Sequence, residues 1–209
     1  MKTKVNEDRL KFRTQRVMLI VSVVLMGGKF LAYVLTGSVG ILTDAMESIV
    51  NVAAGAISLY SIWYAAKPRD RGHPFGHGKV EMISASLEAL MIMVAGTIII
   101  YAGIERLLSP RDVEKLDVGI VIVAVAGLVN YIAGWISVRR GRRYNSMALV
   151  ASGRHLMSDT YSSRGLVAGL ILLYITKIGW IDSALALIFG AIIILTGISI
   201  LRKTVSNLM

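Results

Sequence analysis

The stretch Gly153-Arg154-His155-Leu156-Met157-Ser158-Asp159 interrupts an apolar run that extends from about Ser146 to Thr176. A run of that length can cross a bilayer as a helix, which needs about 20 apolar residues. Polar groups in its middle need partners, because a charged side chain in hydrocarbon costs at least ~2.5 kcal/mol. His155 and Asp159 are four positions apart, so they share one helix face. A second polar stretch, Asp44-Ala45-Met46-Glu47-Ser48-Ile49-Val50-Asn51, breaks another apolar run, and Glu47 and Asn51 repeat the spacing of four. The two patterns predict that these helices meet and hold a metal ion between them.

The rest of the composition agrees with a membrane setting. Of the 209 residues, 55% are hydrophobic, and the mean hydropathy is +0.66. That is too apolar for an ordinary soluble domain and reads as an integral membrane protein. Cysteine is absent, which excludes structural disulfides and any thiolate metal site. The formal net charge of +10 would suggest nucleic acid in a soluble protein. Here most basic residues fall in short loops between apolar runs, where they set topology and meet anionic lipid. Nucleic acid is therefore not an expected partner, and the bilayer is. The first apolar run is too long for a cleavable signal, and no small-residue cleavage pattern ends a shorter one.

Six spans are expected, near Val17–Thr36, Val39–Ala66, Val80–Leu108, Val118–Val138, Ser146–Thr176 and Trp180–Leu201. Long continuous runs favour helices over the alternating ~10-residue segments of a barrel. The fold class is thus an all-α membrane protein, a six-helix transmembrane bundle. Residues 1–16 form a basic N-terminal segment that suits a short surface helix. Residues 17–203 form the six-span domain, and 204–209 a short tail. Lys and Arg crowd the N-terminus, the loop after span 2 (Lys67, Arg69, Arg71, Lys79), the loop after span 4 (Arg139, Arg140, Arg142, Arg143) and the C-terminus. By the positive-inside rule both termini are cytoplasmic. Small residues such as Ala53, Ala54, Gly55 and Ala56 read as close-packing positions between helices.

Depth supports a central site. At ~1.5 Å per residue, Glu47 lies ~12 Å below the outer end of span 2, and His155 lies ~14 Å above the inner end of span 5. Half of a ~30 Å core is ~15 Å, so both pairs reach the midplane, where an alternating-access site belongs. Asp44 falls on the face of Glu47 and Asn51, nearer the outside. It is a substitute fourth ligand or an exit-side carboxylate. An imidazole, carboxylates and an amide oxygen suit a divalent first-row metal. An Asn carbonyl is less basic than the usual zinc ligands, so this set describes a divalent transition metal better than it describes zinc alone. The bland reading of the same residues is interhelical hydrogen-bond glue, against which two matched pairs weigh. The loop Asp70-Arg71-Gly72-His73-Pro74-Phe75-Gly76-His77 holds two of the three histidines. Asp70, His73 and His77 suit a second, cytoplasmic metal site, or else a surface turn. Glu88 and Asn130 read as packing or dimer-contact residues, and Asp182 as an N-terminal cap of span 6.

Three motifs carry a resemblance: His73-Pro-Phe-Gly-His-Gly-Lys-Val-Glu81, the Gly-Ser-Val-Gly-Ile-Leu-Thr-Asp-Ala start of span 2, and His155-x-x-x-Asp159. Together they resemble the cation diffusion facilitator family over nearly the whole chain. The resemblance implies a homodimeric antiporter that exports divalent metal from the cytoplasm in exchange for protons. It implies a transport site of Glu47, Asn51, His155 and Asp159, and a loop site of Asp70, His73 and His77. The transported ion would be zinc, or iron, manganese, cobalt, nickel or cadmium, in a prokaryotic inner membrane. Span 2 departs from the family, which usually has Asp or His followed by Asp where this chain has Glu and Asn. The family's cytoplasmic domain after span 6 is also missing from the 209 residues.

Three other classes are weighed against the antiporter. An intramembrane metalloprotease would need an activated water and normally a His-Glu-x-x-His helix, which is absent, so an enzyme is not expected. A passive divalent-cation channel or a metal-sensing membrane protein remains the alternative. The chain has no nucleotide-binding loop to support ATP-driven transport.

Overall fold

A computed structural model describes residues 2–65, 78–110 and 113–208. Six helices follow in chain order: α1 Lys2–Thr36, α2 Val39–Ala65, α3 Gly78–Leu108, α4 Leu116–Arg143, α5 Met147–Thr176 and α6 Trp180–Leu208. Among the described residues there is no strand. The fold is an all-α membrane bundle. The largest departures from the expected spans are extensions into polar sequence. The basic N-terminal segment is no separate surface helix but continues into α1, and α4 runs on to Arg143. Helical hydrogen bonding needs no apolar sequence, and Arg140, Arg142 and Arg143 in the last turn of α4 suit the negative end of its dipole.

Five helices are long and apolar enough to cross a membrane among the described residues: α1, α2, α3, α4 and α6. The remaining helix, α5, carries Arg154, Asp159 and Arg164 within 30 residues. It is the helix that carries the polar stretch of residues 153–159. Its start is fixed by Ser146, whose side chain accepts from the Leu149 amide at 3.4 Å. Its end is fixed by Lys177 in a left-handed conformation, whose amide donates to the Leu173 carbonyl. Arg164 is exposed, and its guanidinium stacks on Tyr131 and Tyr161 at 5.7 and 5.5 Å, a cation–π arrangement that suits a poorly hydrated surface.

The helices sort into two sets. α3 packs most extensively on α6, and α4 on α5; α1 joins α2 and α4, and α2 touches all the others. Glycines let these pairs approach closely. A Cβ on Gly153 would stand 2.6 Å from the Gly134 carbonyl oxygen, and one on Gly134 would stand 2.6 Å from that of Gly153. Ser137 and Thr160 strengthen the α4–α5 contact by donating to the Leu149 and Gly127 carbonyls. An aliphatic cluster of Ala32, Ile41, Leu116, Val123, Leu166, Leu170, Leu173 and Ile181 fills the end of the bundle near the α1–α2 turn. A smaller one of Met18, Ala133 and Leu156 lies farther from that turn, with Leu156 inside the polar stretch of α5.

Asp182 corrects one expectation. It lies in the first turn of α6, but its fully buried carboxylate caps α2 instead. It accepts from the Val39 amide at 2.7 Å, the Gly40 amide at 3.1 Å and the Ser38 hydroxyl at 2.6 Å. The first amides of a helix lack partners within it, and a carboxylate satisfies both the hydrogen bonds and the dipole. Spacing within one helix cannot reveal a cap that arrives from another.

Candidate metal centre

α2 and α5 pack against each other, and their polar stretches meet. The His155 Nε2 lies 2.9 Å from the Asn51 Oδ1, 104 positions away in the chain. Asn51, His155, Lys29 and Asp44 are the groups whose polarity and charge act on the Asp159 carboxylate. The Asp159 Oδ2 is buried without a hydrogen-bond partner. Glu47 lies one turn before Asn51 and has Asp44, Asp159 and Lys29 as its charged neighbours. The four residues picked out by spacing thus share one region between two helices, where Asn51 is buried and Glu47, His155 and Asp159 are half-buried. Among the described residues, no three His, Asp or Glu side chains converge closely enough to hold an ion as they stand. Asn51 and His155 are hydrogen-bonded to each other. Two ligands of a tetrahedral ion at 2.0–2.1 Å sit about 3.4 Å apart, so this pair would part by about 0.5 Å to receive one.

Asp44 behaves differently. Its Oδ1 accepts from Lys29 Nζ at 2.9 Å and from the Ser163 hydroxyl at 2.8 Å, and the Lys29 and Asp44 side chains are 1% and 3% exposed. Lys29 comes from α1. Its partner on α2 follows from the antiparallel hairpin: Lys29 is seven residues before Thr36 and Asp44 five after Val39, so both lie ~8–10 Å from the turn. The Gly37 φ of 66° closes that turn. Sequence reasoning passed over Lys29. The signal was a lone lysine, Gly27-Gly28-Lys29-Phe30, in the middle of span 1, and an ionisable group at such a position calls for a named partner.

Towards the other end, Gln15 of α1 donates to the Gly55 carbonyl and to the Ser152 hydroxyl, both at 3.2 Å, tying α1 to α2 and α5. Asn130 is buried within α4. Asp70, His73 and His77 lie outside the described residues, as does the side chain of Glu88.

An all-α bundle with an ionisable seam between its helices is a multi-pass integral membrane protein built around a polar interior site. Residues 16–209 match the family described as the cation efflux transmembrane domain. The chain belongs to this family, the cation diffusion facilitators, which is made up of transporters. It is 44% identical over 184 residues to the uncharacterized transporter sll1263 of Synechocystis, covering 88% of this chain and 59% of that protein. It is 33% identical over 159 residues to the metal cation efflux system protein CzcD of Cupriavidus metallidurans, covering 75% and 49%. It is 30% identical over 185 residues to the cation-efflux pump FieF of Escherichia coli, covering 87% and 60%. The chain therefore spans about half to three-fifths of the length of these relatives.

Proposed function

We propose that the chain is the transmembrane part of a secondary transporter that exports a divalent transition-metal cation from the cytoplasm in exchange for protons. Glu47, Asn51, His155 and Asp159 receive the ion. The observation that supports this reading is the contact of Asn51 with His155 across the α2–α5 seam, with the half-buried Asp159 and Glu47 in the same region. Names of relatives such as CzcD and FieF, a metal cation efflux protein and a cation-efflux pump, point the same way.

Exchange follows from ligand chemistry. Imidazole and carboxylate bind metal only when deprotonated, so metal and protons compete for the same lone pairs. Asn51 carries no ionisable proton, which leaves His155, Asp159 and Glu47 to exchange. Facing the cytoplasm, the ion displaces protons; facing the more acidic side, protons reload the ligands and expel it. Both termini face the cytoplasm, the membrane is the prokaryotic plasma membrane, and the working unit is a homodimer. Zinc is the first candidate ion. Iron, manganese, cobalt, nickel and cadmium are compatible with the mixed nitrogen and oxygen donors.

Transport in proteoliposomes tests this reading, using zinc, cadmium, manganese, iron, cobalt and nickel in turn under an imposed pH gradient. Saturable uptake that follows the gradient is expected. Flux that ignores the gradient and does not saturate would favour a channel.

A further inference from the structure

We propose that Lys29 is a tethered counter-cation that sets the charge of the polar seam and thereby its match to a single divalent ion. The proposal rests on the reading of Glu47, Asn51, His155 and Asp159 as the receiving site. Three carboxylates, Asp44, Glu47 and Asp159, act on one another in this region, and Lys29 acts on both Glu47 and Asp159. When an ion is bound its carboxylate ligands are deprotonated, and Glu47 and Asp159 together with Asp44 would then present a charge of −3 without Lys29. The ammonium on Asp44, at 2.9 Å and almost fully buried, reduces this to −2, which one divalent cation neutralises.

The geometry also gives Asp44 a different role from the other two acids. Its Oδ1 already holds Lys29 and Ser163, so α1, α2 and α5 are joined through one oxygen. Its Oδ2 is buried and has no hydrogen-bond partner. A carboxylate so placed, one turn from Glu47, has the chemistry of an additional ligand. The tethered ammonium occupies it in place of an ion. Lys29 is accordingly a positioning residue that controls how many anionic oxygens the seam offers. In a low-dielectric interior a fixed charge a few ångströms away strongly alters ion affinity, so Lys29 acts on a metal it never touches.

The test is a double-mutant cycle on the full chain in detergent, with zinc binding followed by calorimetry at fixed pH. Lys29→Met frees Asp44 and should tighten zinc binding about tenfold or raise the stoichiometry. Asp44→Asn leaves the ammonium without its counter-ion and should weaken binding about tenfold. The pair of changes together should return affinity to near the wild-type value, and Lys29→Arg, which keeps the charge, should stay near it throughout. A purely structural ion pair would lower thermal stability in both single variants while leaving the affinity of the folded fraction unchanged. That result would overturn the proposal. If a single variant does not fold, the double variant and Lys29→Arg still decide: a double variant that loses zinc binding, or an arginine variant unlike wild type, overturns it. His155→Ala and Asp159→Ala serve as controls. Binding lost in those controls, with zinc affinity unchanged in both Lys29→Met and Asp44→Asn, sinks this proposal alone. Binding retained in them sinks the receiving site and this proposal with it.

Discussion

The α3–α6 seam and the α2–α5 seam join helices of similar length by different chemistry. Between α3 and α6, glycines face aliphatic side chains. A Cβ on Gly96 would stand 2.6 Å from the Ile194 Cγ1, and one on Gly190 would stand 2.9 Å from the Ile100 Cγ1. The exposed Thr97 and Thr196, outside the packed seam, turn their hydroxyls back onto carbonyls of their own helices. Between α2 and α5, contacts run through Asn51, His155, Asp44 and Ser163. Close apolar packing has one arrangement of lowest energy, because a packed interior tolerates neither gaps nor overlap. Polar partners can be exchanged for an ion without leaving a buried group unsatisfied. The first seam suits fixed apposition, and the second suits a place where ions and protons replace one another.

The largest expected effect tests the second seam directly. His155→Ala and Asp159→Ala should each abolish saturable metal uptake by proteoliposomes while the protein remains monodisperse on gel filtration. Wild-type uptake by both would remove the α2–α5 seam from the transport route, and the contrast between the seams would lose its functional meaning.

Packing changes sharpen the contrast next. Gly190→Val in the α3–α6 seam and Gly153→Val in the α4–α5 crossing both insert atoms where neighbours already stand within 2.6–2.9 Å of a first Cβ. Overpacking of this kind costs about 1–3 kcal/mol. Both variants should unfold at lower temperature in detergent. Only Gly153→Val should also weaken zinc binding in the folded fraction, because Gly153 is two residues from His155. Equal loss of zinc affinity in Gly190→Val would mean that the two seams are not separable.

Much of this was legible in the chain, and the missing parts share a cause. Continuous apolar runs fixed the six helices, and the paired spacings at Glu47 and Asn51, and at His155 and Asp159, named the helix faces that meet. These signals are local, carried within one helix. Lys29 pairing with Asp44, and Asp182 capping α2 from α6, are contacts between helices. Helical spacing determines which residues share a face but not which face it meets. The polar ends also misled: Lys2–Arg16 reads as a separate surface segment, yet the backbone continues as one helix into α1. Charge marks where the hydrocarbon ends, not where helical hydrogen bonding stops.

A gentler change asks whether Asn51 belongs to the receiving set. Asn51→Asp replaces a neutral oxygen with an anionic one beside His155, and anionic oxygen is the better zinc ligand. Zinc affinity measured by calorimetry should rise by about tenfold, equivalent to about 1.4 kcal/mol. Unchanged or weaker affinity would make Asn51 a hydrogen-bond partner that only orients His155, and would leave the seam with His155, Asp159 and Glu47 as its ligands.

The smallest effect on transport is expected outside both seams. His73 and His77 stand on the stretch between α2 and α3, in a run that also holds Asp70 and several basic residues. Two histidines four apart with a nearby carboxylate are competent to bind a divalent ion. In the proposed orientation, with this basic run on the cytoplasmic side, an ion held there would not yet have entered the bundle. Such a site can gather ions or steady the loop, but it does not carry them across. His73→Ala combined with His77→Ala should therefore lower the number of zinc ions bound per chain while measurable saturable uptake persists. Complete loss of uptake in a folded double variant would place an obligatory step before the α2–α5 seam. The contrast that matters would then lie between loop and bundle, not between one helix pair and another.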